Sequence, residues 1–294
     1  MNDFLKNPII FFGTGRSGTT IISEVVFQHM DLAWPSNYQD KCPDILRINY
    51  LRRLFDNKFW RLIGKNQSSH ESALYNKFLF KPGENYRMWQ YLVGNETNFS
   101  RGFLLAENVS SERQKFIRQY FASLVKAQGK NRLAFKITGP PRMGYLLSIF
   151  PDAVFIHIKR ALIPTISSLL KVDFWWAQGR TKLWWTGPYS SEEKKWAQDN
   201  KDKPELMTAF QLKKIYWAEQ DEISRYEPRI LEVNYEDFTA EPQLEIERIL
   251  EFCSLTFDPK ISEYLEGNPI VQRNMPDDSY FDKELLNQID ELLN

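Results

Sequence analysis

A glycine-rich stretch at residues 13–20, Gly-Thr-Gly-Arg-Ser-Gly-Thr-Thr, constrains the fold of this chain more than any other feature. It follows a short apolar run at residues 8–12, which is typical of a buried strand closed by glycine. Apolar residues at helical spacing follow it, at residues 21–27, and predict a helix. A glycine-rich turn between a strand and a helix directs several backbone N–H groups to one point, at the positive end of the helix dipole. The stretch therefore predicts an anion-binding loop.

The residue types within this loop suit a phosphate group. Glycines let the backbone turn tightly and approach a phosphate closely. The hydroxyls of Thr19 and Thr20 add hydrogen-bond donors, and Arg16 adds a fixed charge with a fork of N–H groups that matches phosphate oxygens. The predicted phosphate-binding residues are Gly15, Arg16, Ser17, Gly18, Thr19 and Thr20.

The loop departs from the ATPase pattern at a decisive position. That pattern ends in Gly-Lys-Ser/Thr, whereas this chain has Gly18-Thr19-Thr20 and carries its cation at Arg16. The apolar run at residues 153–158 leads into Lys159 and Arg160 rather than into an acidic residue that could hold magnesium. The sequence therefore favours phosphate binding over nucleoside triphosphate hydrolysis. Two alternatives stay open, a kinase using ATP and magnesium, and a glycine-rich turn that merely links a strand to a helix.

The composition of the chain limits the classes of ligand and partner that we expect it to bind. Lys plus Arg equals Asp plus Glu at 38 each, so no overall field attracts nucleic acid or an anionic membrane. Two cysteines and three histidines among 294 residues give neither a disulfide framework nor a zinc pattern. The N-terminal stretch does not resemble a signal peptide, and no apolar run reaches the ~18 residues of a membrane span. We therefore expect a cytoplasmic protein with neither a nucleic acid nor a membrane partner. The oligomeric state has no signature in the sequence.

Alternating strand and helix patterns predict the fold class. Further strands are expected at residues 133–137, 153–158 and 229–233, each followed by a helical pattern. Such alternation predicts a parallel sheet covered by helices on both faces, an α/β fold with three layers like that of P-loop proteins. Aromatic-rich helical pieces at residues 45–60, 71–79 and 84–93 predict a helical cap over residues 39–105 within a single domain of 294 residues. A tryptophan-rich stretch at residues 174–200 has no steady period.

Five motifs along the chain carry a resemblance to a known family. Arg-Ser-Gly-Thr-Thr at residues 16–20 is one, and Phe-Ile-His-Ile-Lys-Arg at residues 155–160, followed eight residues later by Ser168, is another. The remaining motifs are Val-Asn-Tyr-Glu-Asp-Phe at 233–238 followed by Pro242, Pro-Gly-Glu-Asn-Tyr-Arg-Met-Trp at 82–89, and Thr-Gly-Pro-Pro-Arg at 138–142. In this order they resemble the PAPS-dependent sulfotransferases, particularly the bacterial members, where PAPS is 3′-phosphoadenosine 5′-phosphosulfate. The resemblance extends from about residue 8 to residue 258.

The resemblance gives the first two motifs distinct tasks. Residues 16–20 are similar to the family's 5′-phosphosulfate loop, and Arg160 with Ser168 is similar to its 3′-phosphate site. Arg160 also leaves the end of a predicted parallel strand, where ligands bind in open α/β sheets, and its guanidinium can donate two parallel bonds to a phosphate. Ala161-Leu162 stands where the family usually has Asp-Pro, a departure that affects the start of the helix more than the phosphate contact.

The resemblance implies transfer of a sulfuryl group from PAPS to a hydroxyl or amine of a small-molecule acceptor, leaving adenosine 3′,5′-bisphosphate (PAP). By analogy with phosphoryl transfer, in-line positioning and charge neutralisation should lower the barrier, here without a metal. Arg16 would hold the 5′-phosphate and the leaving oxygen. Lys136 lies 24 residues before Arg160, the separation of the family's lysine, and would bridge the transferred group.

The general base is the open question of this mechanism. Cytosolic members of the family have a histidine two residues after that lysine, where this chain has Thr138. A carboxylate or another histidine must serve, within hydrogen-bond reach of the acceptor. Glu84 is our first choice because it falls within the motif at residues 82–89. Asp40 and His29 are weaker alternatives, and His157 is expected to face the core. A non-catalytic nucleotide-binding relic that has lost its base is the remaining alternative.

The resemblance implies two further donor contacts and a place for the acceptor. Tyr235 corresponds to a tyrosine near the adenine in the family, and Arg273 to a late basic loop over the 3′-phosphate. We expect the acceptor, a natural-product-like small molecule, to bind between the cap and the tryptophan-rich stretch, where aromatic faces can hold apolar or cationic groups.

Overall fold

A computed structural model describes residues 5–55, 80–105, 107–270 and 281–293 of the chain. Its centre is a parallel sheet of five strands, in the order β2-β3-β1-β4-β5. The strands are β1 (Ile9–Phe12), β2 (Leu32–Ala33), β3 (Arg132–Lys136), β4 (Val154–Lys159) and β5 (Arg229–Asn234). Strand order and direction match an α/β fold and confirm the class predicted from the sequence.

Helices connect and cover these strands. In chain order they are α1 (Thr19–Val26), α2 (Asn37–Lys41), α3 (Ile48–Phe55), α4 (Tyr86–Val93), α5 (Ser111–Gln128), α6 (Met143–Ile149), α7 (Leu162–Leu170), α8 (Ser191–Asp199), α9 (Pro204–Tyr226), α10 (Tyr235–Ala240), α11 (Pro242–Phe252), α12 (Pro259–Gly267) and α13 (Lys283–Leu293). A π-helical turn, Trp175–Gly179, lies between α7 and α8.

Both faces of the sheet are buried, and the alternation along β1 shows it. Ile9 and Phe11 pack into one hydrophobic cluster with α1, α11 and α12, whereas Ile10 and Phe12 pack into a second cluster with α4, α5 and α6. Successive side chains of a strand point to opposite faces, so two clusters on one strand mean three layers. A third cluster joins α7 and α9 to Trp175 and Trp185.

Parallel pairing brings the functional ends of the strands to one edge. β1 lies between β3 and β4, with Phe11 opposite Lys136 and Phe12 opposite His157. The carboxyl end of β1 leads into the glycine-rich loop, β3 ends at Lys136, and β5 ends next to Tyr235. The register therefore places the predicted donor-binding residues at the same edge, where ligands bind in this class of sheet.

Several sequence predictions are refined by the structure. The two-residue strand β2 and helix α8 were not predicted; α8 begins with a capping box between Ser190 and Glu193, a signal present in the sequence. The helix predicted over 45–60 corresponds to α3, which begins at Ile48 and is described as far as Phe55. The rest of that predicted range and the helix predicted at 71–79 lie outside the described residues. Trp217, on α9, is exposed.

No helix in the described ranges has the length and apolar character that a membrane crossing requires.

Candidate active site

The glycine-rich loop takes a conformation that few residues tolerate. Gly18 and Arg16 both have left-handed backbone angles, with φ of 94° and 72°. A Cβ at Gly13 would lie 2.4 Å from the carbonyl oxygen of Ile158 on the neighbouring strand, so glycine alone fits there. α1 begins immediately after Gly18, and its first N–H groups face the loop. The loop therefore has the form of an anion cradle.

Hydroxyl groups line this cradle and connect it to β3. The hydroxyls of Ser17 and Thr19 lie 2.8 Å apart, and the backbone N–H of Ser17 donates to the carbonyl of Thr14 at 3.2 Å. The Lys136 ammonium donates to the hydroxyl of Thr20 at 2.7 Å. Lys136, predicted to reach the transferred group, thus lies against the loop predicted to bind the 5′-phosphate.

The two predicted phosphate sites adjoin one another. The Nε of Arg16 donates to the Ser168 hydroxyl at 2.9 Å, and the Nη1 of Arg160 donates to the Arg16 carbonyl at 2.8 Å. Three groups separated by up to 152 positions along the chain therefore form one contact network. Two guanidinium groups and a helix N-terminus at one place concentrate positive charge in a chain of zero net charge, with the Glu236 carboxylate near Arg160 as an acidic neighbour.

Tyr235 completes this side of the site. The ring of Tyr235 lies so close to Gly18 that a Cβ there would be 2.3 Å from it. The Arg160 guanidinium lies 4.6 Å from the centre of the same ring, within range of a cation–π contact. Burial lowers the pKa of Arg160, but arginine remains protonated at neutral pH. Tyr235 and Arg160 therefore contact each other beside the glycine-rich loop.

Glu84 lies next to Lys136 on the other side. The Glu84 carboxylate is 3.5 Å from the Lys136 ammonium, and its side chain is 33% exposed whereas that of Lys136 is 3% exposed. Lys136 is thus held between the Thr20 hydroxyl and the Glu84 carboxylate. A part-exposed carboxylate beside a buried ammonium can reach a ligand that enters from solvent.

The loop that carries Glu84 is fixed by its neighbours. Asn85 has a left-handed backbone, with φ of 54°, and its side-chain amide donates to the Ser36 carbonyl at 2.6 Å. The Asp40 carboxylate accepts from the N–H groups of Arg87 at 2.9 Å and Met88 at 3.1 Å, at the start of α4. Asp40, an alternative base in the sequence analysis, thus serves as a helix cap in this structure.

The two histidines considered from the sequence lie in packed surroundings. His29 is buried and bonds to the Thr256 carbonyl at 2.8 Å and to the N–H of Asp31 at 3.1 Å, past the end of α1 that is remote from the loop. His157 is buried and stacks on Phe12, with ring centres 4.4 Å apart, as expected for a core residue. Of the three candidate bases, Glu84 is the one with a contact to Lys136.

Tyr86 is a site residue that sequence analysis did not single out. Its hydroxyl donates to the Thr138 carbonyl at 2.8 Å and lies 3.2 Å from the Thr138 hydroxyl. Burial raises the pKa of this phenol above its ordinary value, so Tyr86 stays protonated and acts as a donor. It occurs two positions after Glu84 in the motif at residues 82–89, which is the signal that could have identified it.

Trp185 also faces this region. It belongs to the tryptophan-rich stretch expected to border the acceptor, although no periodic pattern singled out this tryptophan. Its indole Nε1 lies 2.7 Å from the position of a Cβ on Gly139, which has a φ of 83°. The N–H of Gly139 donates to the Gly13 carbonyl at 3.0 Å. The tryptophan-rich stretch therefore reaches the loop after Lys136, which in turn contacts the glycine-rich loop.

Two further predictions concern Arg273 and metal ligands. Arg273 lies outside the described residues. Within the parts of the chain described, no three or more His, Cys, Asp or Glu side chains gather as metal ligands would.

The sequence and the fold are similar to those of known proteins of one family. The model of the Sulfotransferase family matches residues 8–259. No curated protein matches the sequence. Among solved structures, the chain resembles sulfotransferase STF9 from Mycobacterium avium at 17% identity and a TM-score of 0.59, over 97% of this chain and 75% of that one. It also resembles the sulfotransferase domain of the curacin biosynthetic pathway at 13% identity and a TM-score of 0.52, over 98% of each chain. At these identities the structural likeness establishes the fold.

Proposed function

The chain belongs to the sulfotransferase family, and on that premise we propose that it transfers a sulfuryl group from PAPS to a hydroxyl or amine of a small-molecule acceptor. The observation that carries this proposal is the contact of the two anion-binding clusters. Arg160 donates to the backbone of Arg16, and the Arg16 side chain donates to Ser168. A donor with anionic groups on the 3′ and 5′ carbons of one ribose needs two adjoining anion sites of this kind.

The residues present fit such a donor. We assign the 5′-phosphosulfate to the N-terminus of α1 and to Arg16, where backbone N–H groups and a guanidinium face the same anion. We assign the 3′-phosphate to Arg160 and Ser168, and the adenine to the neighbourhood of Tyr235. Hydroxyls of Ser17, Thr19 and Thr20 supply further donors. The set is cationic and rich in donors, as recognition of a doubly anionic nucleotide requires.

Lys136 and Glu84 supply the groups needed for transfer. Bound PAPS supplies an activated sulfuryl group whose bond to the 5′-phosphate oxygen breaks as a bond to the acceptor oxygen or nitrogen forms. Lys136 and Arg16 neutralise the charge that collects on the leaving phosphate oxygen. Glu84 takes the proton that the acceptor loses, and its part-exposed side chain allows an acceptor to reach it.

The acceptor site is proposed on the side of Lys136 where Glu84, Tyr86 and Trp185 lie. Tyr86 holds the Thr138 carbonyl, and Trp185 lies against Gly139, so an aromatic face borders the loop that follows Lys136. An aromatic border suits a small acceptor with a flat or apolar part. The described parts of the cap, residues 39–55 and 80–105, and the stretch at 174–200 would enclose it.

A thermal-shift comparison tests the donor. We expect PAP to raise the Tm in the absence of magnesium, because a ligand that binds the folded state stabilises it by mass action. The Arg160→Met variant should lose this stabilisation, whereas Arg225→Met, which removes a surface ion pair with Asp221, should keep it. A preference for ATP with magnesium over PAP would contradict the proposal and support a kinase.

A screen of small alcohols, phenols and amines with PAPS tests the transfer itself. Mass spectrometry should reveal an acceptor that gains a sulfo group as PAPS is converted to PAP. Tight PAP binding with no acceptor sulfated across a broad panel would favour a non-catalytic nucleotide-binding protein.

A further inference from the structure

We propose that Arg142 is a positioning residue, which holds the acceptor-side segment at 184–187, with Trp185, against the loop that follows Lys136. The proposal rests on the proposed function for its kinetic consequences, and on the contacts of Arg142 alone for its structural ones. Arg142 follows this loop in sequence and does not itself contact the anion-binding groups in the contacts described.

The Arg142 side chain is a fully buried cation that bonds to backbone carbonyls of two segments. Its Nη1 donates to the Pro140 carbonyl at 2.6 Å, at the end of the loop after Lys136. Its Nε donates to the Gly102 carbonyl at 3.0 Å, and its Nη2 to the Ser100 carbonyl at 3.2 Å. One planar guanidinium therefore ties the loop after β3 to residues 100–102.

Residues 100–103 are in turn paired with the tryptophan-rich stretch. The N–H of Thr186 donates to the Arg101 carbonyl at 2.8 Å, and the N–H of Phe103 donates to the Thr186 carbonyl at 3.1 Å. This pairing places Trp185 where its indole meets Gly139. Arg142 therefore contacts residues 100–102, residues 101–103 pair with Thr186, and the neighbouring Trp185 contacts the same loop after Lys136 to which Arg142 bonds.

The fork geometry of arginine explains why this residue type is needed. Arg142 donates to neutral carbonyl oxygens that lie in different directions. One planar guanidinium can bridge them, whereas a lysine ammonium, whose donors are all on one nitrogen, cannot. The nearby Glu222 carboxylate accepts from the N–H groups of Met143 at 2.9 Å and Gly144 at 3.1 Å. Arg142 also has a left-handed backbone, with φ of 54°, a strained state that persists where surrounding contacts enforce it.

The test compares Arg142, which follows the loop after β3, with Arg132, which begins β3. Arg142→Lys keeps the charge and loses the fork. Arg132→Lys is the matched control, since Arg132 begins β3 at the far end of the sheet and also bonds to backbone carbonyls, those of Asn7 and Cys253. Both variants should lower the Tm, so stability alone does not separate them.

The separating measurement is the 19F spectrum of the full chain labelled with 5-fluorotryptophan. The Trp185 resonance is assigned from its loss in Trp185→Phe. We expect Arg142→Lys to shift or broaden this resonance and Arg132→Lys to leave it unchanged. Arg101→Ala provides a second variant if Arg142→Lys does not fold, because half-buried Arg101 donates to the Trp184 carbonyl in the same pairing; it should move the resonance in the same way.

Kinetics with the best acceptor from the screen give the second readout. Arg142→Lys and Trp185→Phe should lower kcat/KM for the acceptor by about tenfold to a hundredfold, the effect of misplacing a reactant by about 1 Å, with an unchanged Kd for PAP. An unmoved Trp185 resonance in Arg142→Lys, or equal kinetic losses in Arg132→Lys, overturns the proposal. If no compound is sulfated, the proposed function fails while the 19F comparison still decides the role of Arg142.

Discussion

Three non-glycine residues with left-handed backbone angles lie in the segments on which the proposed chemistry depends. Arg16, Asn85 and Arg142 all have left-handed backbone angles although none is glycine. Arg16 lies in the glycine-rich loop, Asn85 follows Glu84, and Arg142 follows the loop after Lys136. Such conformations cost about 1–3 kcal/mol each and concentrate at functional sites, where neighbouring contacts hold them. Four other described residues, Asn7, Leu104, Glu227 and Ser254, have positive φ in other segments, so these angles accompany the site and do not by themselves identify it.

At the residue scale, Glu84→Gln tests the general base. We expect kcat to fall by about a hundredfold to ten-thousandfold, the usual contribution of general base catalysis, because an amide cannot take the acceptor's proton. The Kd for PAP should stay the same, as measured by calorimetry. Glu96→Gln, at an exposed glutamate after α4, is the control. An unchanged kcat in Glu84→Gln would remove this carboxylate from the mechanism.

At the scale of elements, the ends of strands and the starts of helices make the site. The glycine-rich loop joins β1 to α1, Lys136 ends β3, and Tyr235 begins α10 after β5. Each side chain is placed by an element with a buried face, so its position is fixed by core packing. Because parallel strands put their carboxyl ends at one edge, separate stretches of chain supply a single site.

Gly18→Ala tests the contact between two of these elements. The added Cβ would sit 2.3 Å from the Tyr235 ring at a backbone φ of +94°, so both the turn and the ring must move. We expect the Tm to fall by about 5 °C and the Kd for PAP to rise by about tenfold, the loss of one charge-assisted hydrogen bond. Gly267→Ala, where a Cβ meets nothing within 4 Å, is the matched control and should change neither. Equal PAP affinity in Gly18→Ala would argue against the loop as the phosphate site.

Glu222, on α9, links that helix to the start of α6 and should make stability depend on pH. Burial raises the pKa of its carboxyl from 4.5 to about 7, although the N–H groups of Met143 and Gly144 oppose this rise. The folded chain therefore binds the proton more tightly than the unfolded chain does. This contribution to stability is fully present below pH 4.5 and is lost as the pH rises through about 7.

Urea unfolding near pH 5 and near pH 8 checks this expectation. Over that range, the wild-type chain should lose up to about 3 kcal/mol of unfolding free energy relative to Glu222→Gln, which cannot titrate. Glu112→Gln, at an exposed glutamate in the first turn of α5, should follow the wild type. A constant difference between wild type and Glu222→Gln across the range would show that the carboxyl does not titrate there.

At the scale of the whole molecule, charge is balanced globally and concentrated locally. Equal numbers of acidic and basic residues give the chain no long-range field, whereas Arg16, Lys136 and Arg160 lie together at the carboxyl edge of the sheet. Attraction of an anionic donor should therefore come from short-range contacts. These are partly buried and are screened by salt less than surface pairs are.

The salt dependence of PAP binding tests this arrangement. We expect the Kd to rise by no more than about tenfold between roughly 0.05 and 0.5 M NaCl, since the local cations rather than the whole surface attract the ligand. Arg160→Met should bind more weakly and show a shallower dependence, because one of the attracting charges is gone. A rise of several hundredfold in the wild-type Kd would instead indicate a broad basic surface.

Local patterns in the sequence determined the strands, most of the helices and the glycine-rich anion loop. The apolar run before residue 13, the glycine-rich loop and the apolar spacing after it specify a strand, an anion loop and a helix through short-range chemistry alone. Arg160 and Ser168 were predicted from the family resemblance, and the place of Arg160 at a predicted strand end supported that assignment. Glycine and proline signals, such as Pro242 at the start of α11, set boundaries to within a few residues.

Tertiary structure alone decided the contacts that these groups make and the residues that border the proposed acceptor side. Strand order places β1 between β3 and β4, and this brings Lys136 to Thr20 and Arg160 to Arg16. Trp185 meets Gly139 through pairing of residues distant along the chain. Such contacts depend on the summed burial of whole elements, a long-range quantity that no local spacing encodes.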